Sequence, residues 1–357
     1  MIDDNTNDEL DSPTLRRKVH MTSYDALLVV SFGGPEHPDH VVPFLENVTR
    51  GRNIPRERLV EVGAHYALFD GISPINEQNR QLIAALEPEL ANSDVAMPIY
   101  WGNRNWDPML ADTLKQMTAD GVKRAIAFVT SAYSSYSGCR QYRENIGAAR
   151  AEAGPDAPIV DKLRVFYDHP GFLEPFIEAT KNELSELPQG SHLAFTAHSI
   201  PESMASGCDY EQQLLEAASI VARACGNPDW ELVYQSRSGP PQVPWLEPDI
   251  CDHLDALAAA DAPGVAVIPI GFVSDHLEVA FDLDTEAAQR AKELDLAFRR
   301  VATPGTDPRF VSMIRQLIEE RVTGAERLAV GQLAIKPDVC APDCCLAPVR
   351  PGRPAQS

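Results

Sequence analysis

No stretch of this sequence is long and apolar enough to span a bilayer. The longest apolar runs are Ala26–Val30 and Val265–Ile270, well short of the roughly 20 residues a membrane helix needs. Basic residues are scarce as well. There are 31 Lys and Arg against 52 Asp and Glu, a formal net charge of −21 over 357 residues. Nucleic-acid binding needs a basic stripe and anionic membranes need polybasic clusters, so this balance excludes both as principal partners. Met1 to His20 are mostly polar or charged and lack the apolar core of a signal peptide. A cytoplasmic protein is expected, with residues 1–22 a disordered acidic tail. Nucleotide signatures are also missing: Gly33-Gly34 lacks the other glycines of a dinucleotide fingerprint, and no phosphate-binding P-loop occurs.

The cysteines are odd in number and uneven in placement, which does not describe a disulfide framework. Cys208, Cys225 and Cys251 stand alone and read as buried or inert thiols. Cys340, Cys344 and Cys345 crowd into six residues near the end, where metal or cluster binding is the better reading.

What the chain does have is length for about two domains and an alternation of strands with helices. Short apolar runs at Ala26–Phe32, Ala125–Thr130, His192–Thr196 and Val265–Val273 predict strands. Helical periodicity marks Asn79–Leu90, Met109–Asp120, Phe172–Leu187, Tyr210–Ala224 and Leu283–Ala297, with a final helix near Pro308–Val322. The alternation implies a parallel, doubly wound α/β sheet in each half. Ligands of such sheets sit beyond the carboxyl ends of the strands. Those ends carry the Gly-Gly turn, the polar run Ser131–Ser137, His198, and Ser274-Asp275-His276-Leu277-Glu278. Two histidines and a carboxylate are therefore expected to meet in a crevice between the halves.

Glu278, Asp282 and Glu286 follow at i, i+4 and i+8. Like charges at that spacing repel by a few tenths of a kcal/mol per pair. They form either a solvated acidic face or a ladder of hard oxygen ligands for a hydrated divalent cation. His198, at the end of an apolar strand, is either a satisfied structural histidine or a base and iron ligand working near neutral pH.

The ordered motifs Ser31-Phe32-Gly33-Gly34-Pro35-Glu36, Gly71-Ile72-Ser73-Pro74-Ile75-Asn76, Tyr100-Trp101-Gly102-Asn103-Arg104 and Thr196-Ala197-His198-Ser199-Ile200-Pro201 resemble the ferrochelatase family. Tyr234-Gln235-Ser236-Arg237, Pro244-Trp245-Leu246 and Gly271–Glu278 extend the likeness, which runs from Tyr24 to Val322. The resemblance implies two Rossmann-like domains with parallel four-stranded sheets, clasping a porphyrin in a cleft between them. It places them at residues 23–165, with a returning helix within 306–331, and at 166–305, followed by a cysteine-bearing tail at 332–357. It implies a lyase of heme biosynthesis that inserts Fe²⁺, its substrate metal, into a porphyrin. His198 and Glu278 would be the metal-insertion residues, and His276, Asp282 and Glu286 the metal or proton path. Two N–H protons must leave as one Fe²⁺ enters, which accounts for a base beside carboxylates.

By the same likeness Arg50, Ser73 and Tyr142 would grip propionates, and Tyr66 would line the porphyrin. Phe32 stands where some relatives place a tyrosine that approaches the iron, and phenylalanine supplies no axial oxygen. His65 replaces a basic residue common in relatives. The likeness to actinobacterial enzymes points to coproporphyrin III, with four propionates, over protoporphyrin IX, with two; no obvious apolar lip for membrane docking is visible in the sequence. A non-catalytic porphyrin carrier is the alternative of another class. The tail resembles cluster-bearing ferrochelatases, in which Cys340, Cys344 and Cys345 with Cys139 would hold a [2Fe–2S] cluster. A monomer is expected, with transient partners in the heme pathway.

Overall fold

Strand β1 (Ala26–Ser31) reads Ala-Leu-Leu-Val-Val-Ser and is buried along its whole length, as a central parallel strand covered on both faces must be. It anchors the first half of a computed structural model that describes residues 23–51, 54–239 and 242–348. Residues 1–22, expected to be a disordered tail, lie outside the described residues, as do 349–357 at the end of the cysteine tail.

After β1 come α1 (Val41–Val48), α2 (Arg56–Ala67), α3 (Ile75–Ala91), β2 (Ile99–Asn103), α4 (Leu110–Ala119), β3 (Arg124–Val129), α5 (Gln141–Ala153) and β4 (Ile159–Lys162). The second half runs α6 (Pro170–Ser185), β5 (His192–His198), α7 (Glu202–Ala205), α8 (Tyr210–Ala224), β6 (Trp230–Gln235), α9 (Ile250–Ala259) and β7 (Gly264–Ile268). It closes with α10 (Leu277–Val279), α11 (Ala288–Glu293), β8 (Ala297–Arg300) and α12 (Pro308–Thr323). Each half holds one four-stranded parallel sheet, in the orders β2-β1-β3-β4 and β6-β5-β7-β8. The two orders are equivalent, so the halves repeat one topology.

Four differences from the sequence reading have physical causes. The outer strands β2, β4, β6 and β8 do not show as apolar runs: β2, β4 and β8 are short and partly exposed, and β6 mixes polar residues with apolar ones. The run Val265–Val273 is strand only to Ile268, where Pro269 removes an N–H and turns the chain. The expected helix Leu283–Ala297 stops at Glu293, and Ala297 opens β8. Between α10 and α11 the helix is widened into a π-helix over Ala280–Ala287, a local form with no signature in the apolar periodicity.

The sheets share a core. Phe128 of β3 stacks on Phe166 at 5.2 Å between ring centroids, and Phe166 meets Phe172 at 5.6 Å and Phe310 at 6.2 Å. Helix α12 carries Phe310 back against the first half, where Ser312 and Arg315 donate to Glu89 at 2.9 and 2.7 Å. Arg164, which follows β4, donates through Nε and Nη2 to Glu320 of α12 at 2.8 and 3.0 Å in full burial. Losing one partner of such a pair costs roughly 3–5 kcal/mol, because the other charge is left buried and unpaired.

A smaller apolar cluster sits under α1 and α2, built from Val41, Phe44, Leu45 and Leu59 with Phe32, Tyr66 and Trp106 against them. In the segment between α1 and α3, Ile54, Val60, Leu68 and Ile72 are exposed. No helix among the described residues is long and apolar enough to cross a membrane.

Candidate active site

The Gly33-Gly34 turn beyond β1 sets one wall of the cleft. Gly33 has φ +79°, and a Cβ there would lie 2.8 Å from that of Asn103. A Cβ on Gly34 would lie 2.7 Å from that of Ser73, so only glycine lets the turn approach this closely. The opposite wall is the carboxyl end of β5 and the helix after β7. His198 closes β5, and its Nε2 lies 3.0 Å from Oε1 of Glu278 on α10; both side chains stay about one-third exposed to the cleft. Nδ1 faces the Ser199 carbonyl, which orients the ring. Burial opposes the imidazolium, but the Glu278 carboxylate raises the pKa of His198 to about 9. Burial likewise opposes ionisation of Glu278, and His198 lowers its pKa to about 2. At neutral pH the pair is imidazolium and carboxylate, holding one proton between them.

Asp282 stands one π-turn further out. Burial, then the Glu278 charge, raise its pKa to about 7, so it titrates at neutral pH. Its carboxylate accepts from the Ser236 hydroxyl and from Gln235 Nε2. Ser236 holds φ +65° to make that contact, a left-handed conformation that is strained for a non-glycine residue. Burial also raises the pKa of Glu286, an effect its neighbour His65 partly offsets. His65 stacks on Phe281 of the π-helix at 4.2 Å and 10°, bridging the cleft mouth. Tyr66 beside it faces Glu278; burial and that charge both raise its pKa. His276 is the N-cap of α10, its Nδ1 accepting from the Val279 N–H at 3.4 Å, and burial lowers its pKa. This imidazole is a neutral helix cap beside the pair.

Residues 24–322 match the sequence profile of the ferrochelatase family. The chain belongs to that family. A ferrochelatase of Rhodopirellula baltica is 54% identical over 347 residues, 94% of this chain and 98% of the relative. A coproporphyrin III ferrochelatase of Streptomyces coelicolor is 52% identical over 93% of this chain and 95% of its own. One of Mycolicibacterium smegmatis is 50% identical, over 90% and 99%. Among solved structures, SirB from Bacillus subtilis with Fe³⁺ matches at a TM-score of 0.54, covering 85% of this chain and 97% of that one. At 10% identity that likeness concerns the fold alone.

The residues expected to line the porphyrin differ in their burial. Phe32 and Tyr66 are half-buried, and both pack on Phe44, at 6.2 and 6.1 Å. Ser73 and Tyr142 are buried, and Arg50 is exposed and folds back onto Asn47. The cation nearest Phe32 and Tyr142 is Arg104, whose guanidinium lies 4.7 Å from the Tyr142 ring and 5.5 Å from Phe32. Its Nε is buried without a partner. Arg104 and the Gln235-Ser236 pair lie inside motifs of the sequence that do not by themselves mark a role for them. The available signal was their position just past β2 and β6, at the ligand side of the sheets.

The tail reaches the turn after β3. Arg140 donates to the carbonyls of Pro342 and Cys344 at 2.6 and 2.9 Å. Cys139 is buried, and the neighbouring Cys340 lowers its pKa to about 5, while the pKa of Cys340 is raised. Cys344 and Cys345 lie 3.3 Å apart, Sγ to Sγ. The thiols therefore form two pairs, a donor set suited to iron in which one sulfur is readily a thiolate. Among the described residues no three His, Cys, Asp or Glu side chains converge into a ready-made metal centre.

Proposed function

We propose that this chain inserts Fe²⁺ into coproporphyrin III to give coproheme, with His198 and Glu278 as the insertion pair. The observation that carries the reading is the 3.0 Å contact between His198 and Glu278 at the ligand side of two parallel sheets, in a member of the ferrochelatase family. Insertion must release two protons. An arriving dication displaces the proton shared by the pair, and neutral imidazole then accepts the first pyrrole proton at Nε2. Asp282, titrating at about 7, passes protons outward toward Glu286. Arg104 is the cation placed to meet a propionate, and Phe32 leaves the iron face without an oxygen ligand.

The tetrapropionate substrate is supported by the names of the Streptomyces and Mycolicibacterium relatives. The exposed side chains of Ile54, Val60, Leu68 and Ile72 weaken any argument for it from a missing apolar lip. Anaerobic metallation with Fe²⁺, followed by loss of the free-base absorption bands, tests the choice. Coproporphyrin III is expected to turn over at least tenfold faster, in kcat/KM, than protoporphyrin IX. Equal or greater activity on protoporphyrin IX overturns that choice, and tight porphyrin binding without metallation leaves a carrier.

For the tail we propose that Cys139, Cys340, Cys344 and Cys345 hold a [2Fe–2S] cluster, the two thiol pairs supplying the four thiolates such a cluster takes. When bound it would supply electron-transfer chemistry and cross-link the tail to the Cys139 turn. Purified protein is expected to contain two irons and two acid-labile sulfides per chain, the composition of that cluster. Cys139→Ser should lose both. Stoichiometric iron and sulfide retained in that variant would exclude Cys139 as a ligand.

A further inference from the structure

β5 pairs with β7 only as far as Phe195 opposite Ile268. The Ser199 N–H points to β6, donating to Gln235 at 2.8 Å. The His198 carbonyl therefore points to the side that β7 has left. Tyr210 takes it. The phenol, buried in the core, donates to that carbonyl at 3.0 Å. Tyr133 braces Tyr210 edge-on at 6.1 Å and donates in turn to the Ile270 carbonyl at 2.9 Å.

Tyr210 opens α8, and the first turns of that helix meet the tail and the Cys139 turn along one face. Asp209, the residue before it, receives Lys336 of the tail. Gln213, fully buried, exchanges two hydrogen bonds with Ser134, at 2.8 Å from the Ser134 N–H and 3.0 Å to its hydroxyl. Ser135 next to it caps the turn that holds Cys139, accepting from the Gly138 N–H at 2.8 Å. Glu216 accepts from the Leu333 N–H of the tail at 2.9 Å and from Tyr167 at 3.1 Å. Residues 209, 213 and 216 recur at helical spacing on one side of α8. Every contact is local, and together they form a continuous chain from the tail to the main chain of His198.

We infer that Tyr210 is a positioning residue for iron insertion, and that α8 makes the setting of His198 depend on docking of the tail. Tyr210 touches no substrate. It fixes the peptide from which the His198 ring departs, while Lys336 and Glu216 fix the helix from which the Tyr210 ring departs. Undocking the tail loosens α8 and with it the register of the imidazole against Glu278. The inference rests on the reading of His198 as the insertion base.

The test is a double-mutant cycle on the full-length protein with Tyr210→Phe and Lys336→Met. Tyr210→Phe keeps the ring and removes one neutral hydrogen bond, whose net worth corresponds to a few-fold to tenfold change. The expected result is a loss of about three- to tenfold in kcat, with KM for iron and porphyrin unchanged within twofold. Lys336→Met should also lower kcat, and hydrogen exchange over residues 205–216 should rise. The double variant should be no slower than Tyr210→Phe alone, because the tail acts through that hydroxyl. Losses that multiply overturn the inference, as does a Lys336→Met variant with faster exchange and unchanged kcat. Unchanged exchange in Lys336→Met overturns it too. Should Tyr210→Phe fold poorly, Glu216→Gln replaces it in the exchange measurement. A wild-type protein that metallates no porphyrin removes the insertion reading instead, and the exchange result still stands on its own.

Discussion

Replacing His198 by alanine is expected to lower the rate of iron insertion by about 10²–10⁴-fold, the usual range for a positioned acid–base group. Two losses combine. The imidazole that accepts the pyrrole proton disappears, and Glu278 loses the partner that keeps it ionised. Burial alone drives the Glu278 pKa upward, and only His198 and the groups around it reverse that. The variant therefore carries a weaker anion where the dication must be received. On the proposed reading porphyrin affinity should change little, because the macrocycle would be held mainly by the cleft walls and not by His198. Fluorescence quenching of the porphyrin and anaerobic single-turnover metallation separate the two effects. A variant that binds porphyrin normally and still inserts iron at more than a tenth of the wild-type rate would remove His198 from the chemistry.

The sequence made much of this architecture legible, for reasons that differ from element to element. β1, β3, β5 and β7 are buried over almost their whole length, so they appear as largely apolar runs. β4 and β8 are outer strands of four residues, half-exposed, and four such residues do not distinguish strand from loop. His198 and Glu278 were visible as polar residues placed where apolar strands end. Their neighbours were not. Ser236 reaches Asp282 only because of a backbone twist that no side-chain pattern encodes, and Tyr210 reaches His198 across a gap left by β7. The π-helix is equally silent, since its residues also satisfy ordinary helical periodicity. Arg104 is a further case: it lies beside Phe32 and Tyr142, while Arg50 rests on Asn47, and neither placement is encoded in a side-chain pattern.

The second large effect concerns pH. In the wild type the His198 imidazolium persists up to about 9, so kcat/KM for insertion should climb with pH and level off near that value. Glu278→Gln removes the charge that holds the imidazolium in place. Burial then acts unopposed by it and moves the His198 pKa down toward or below its ordinary 6.5. The acid limb of the profile should therefore shift downward by about 2 pH units or more, although the plateau falls because the carboxylate facing the metal is gone. Stability should follow the same ionisations with a definite sign. The raised His198 pKa stabilises the fold fully below 6.5, and that contribution disappears as pH rises through about 9. The lowered Glu278 pKa stabilises it above 4.5, and that contribution disappears as pH falls through about 2. The stability gap between wild type and Glu278→Gln should accordingly be widest between 4.5 and 6.5 and close toward both extremes. Denaturant midpoints across that range, taken with anaerobic rate profiles, check both halves of the argument. An acid limb that stays near 9 in the variant would mean that Glu278 does not set the protonation of His198.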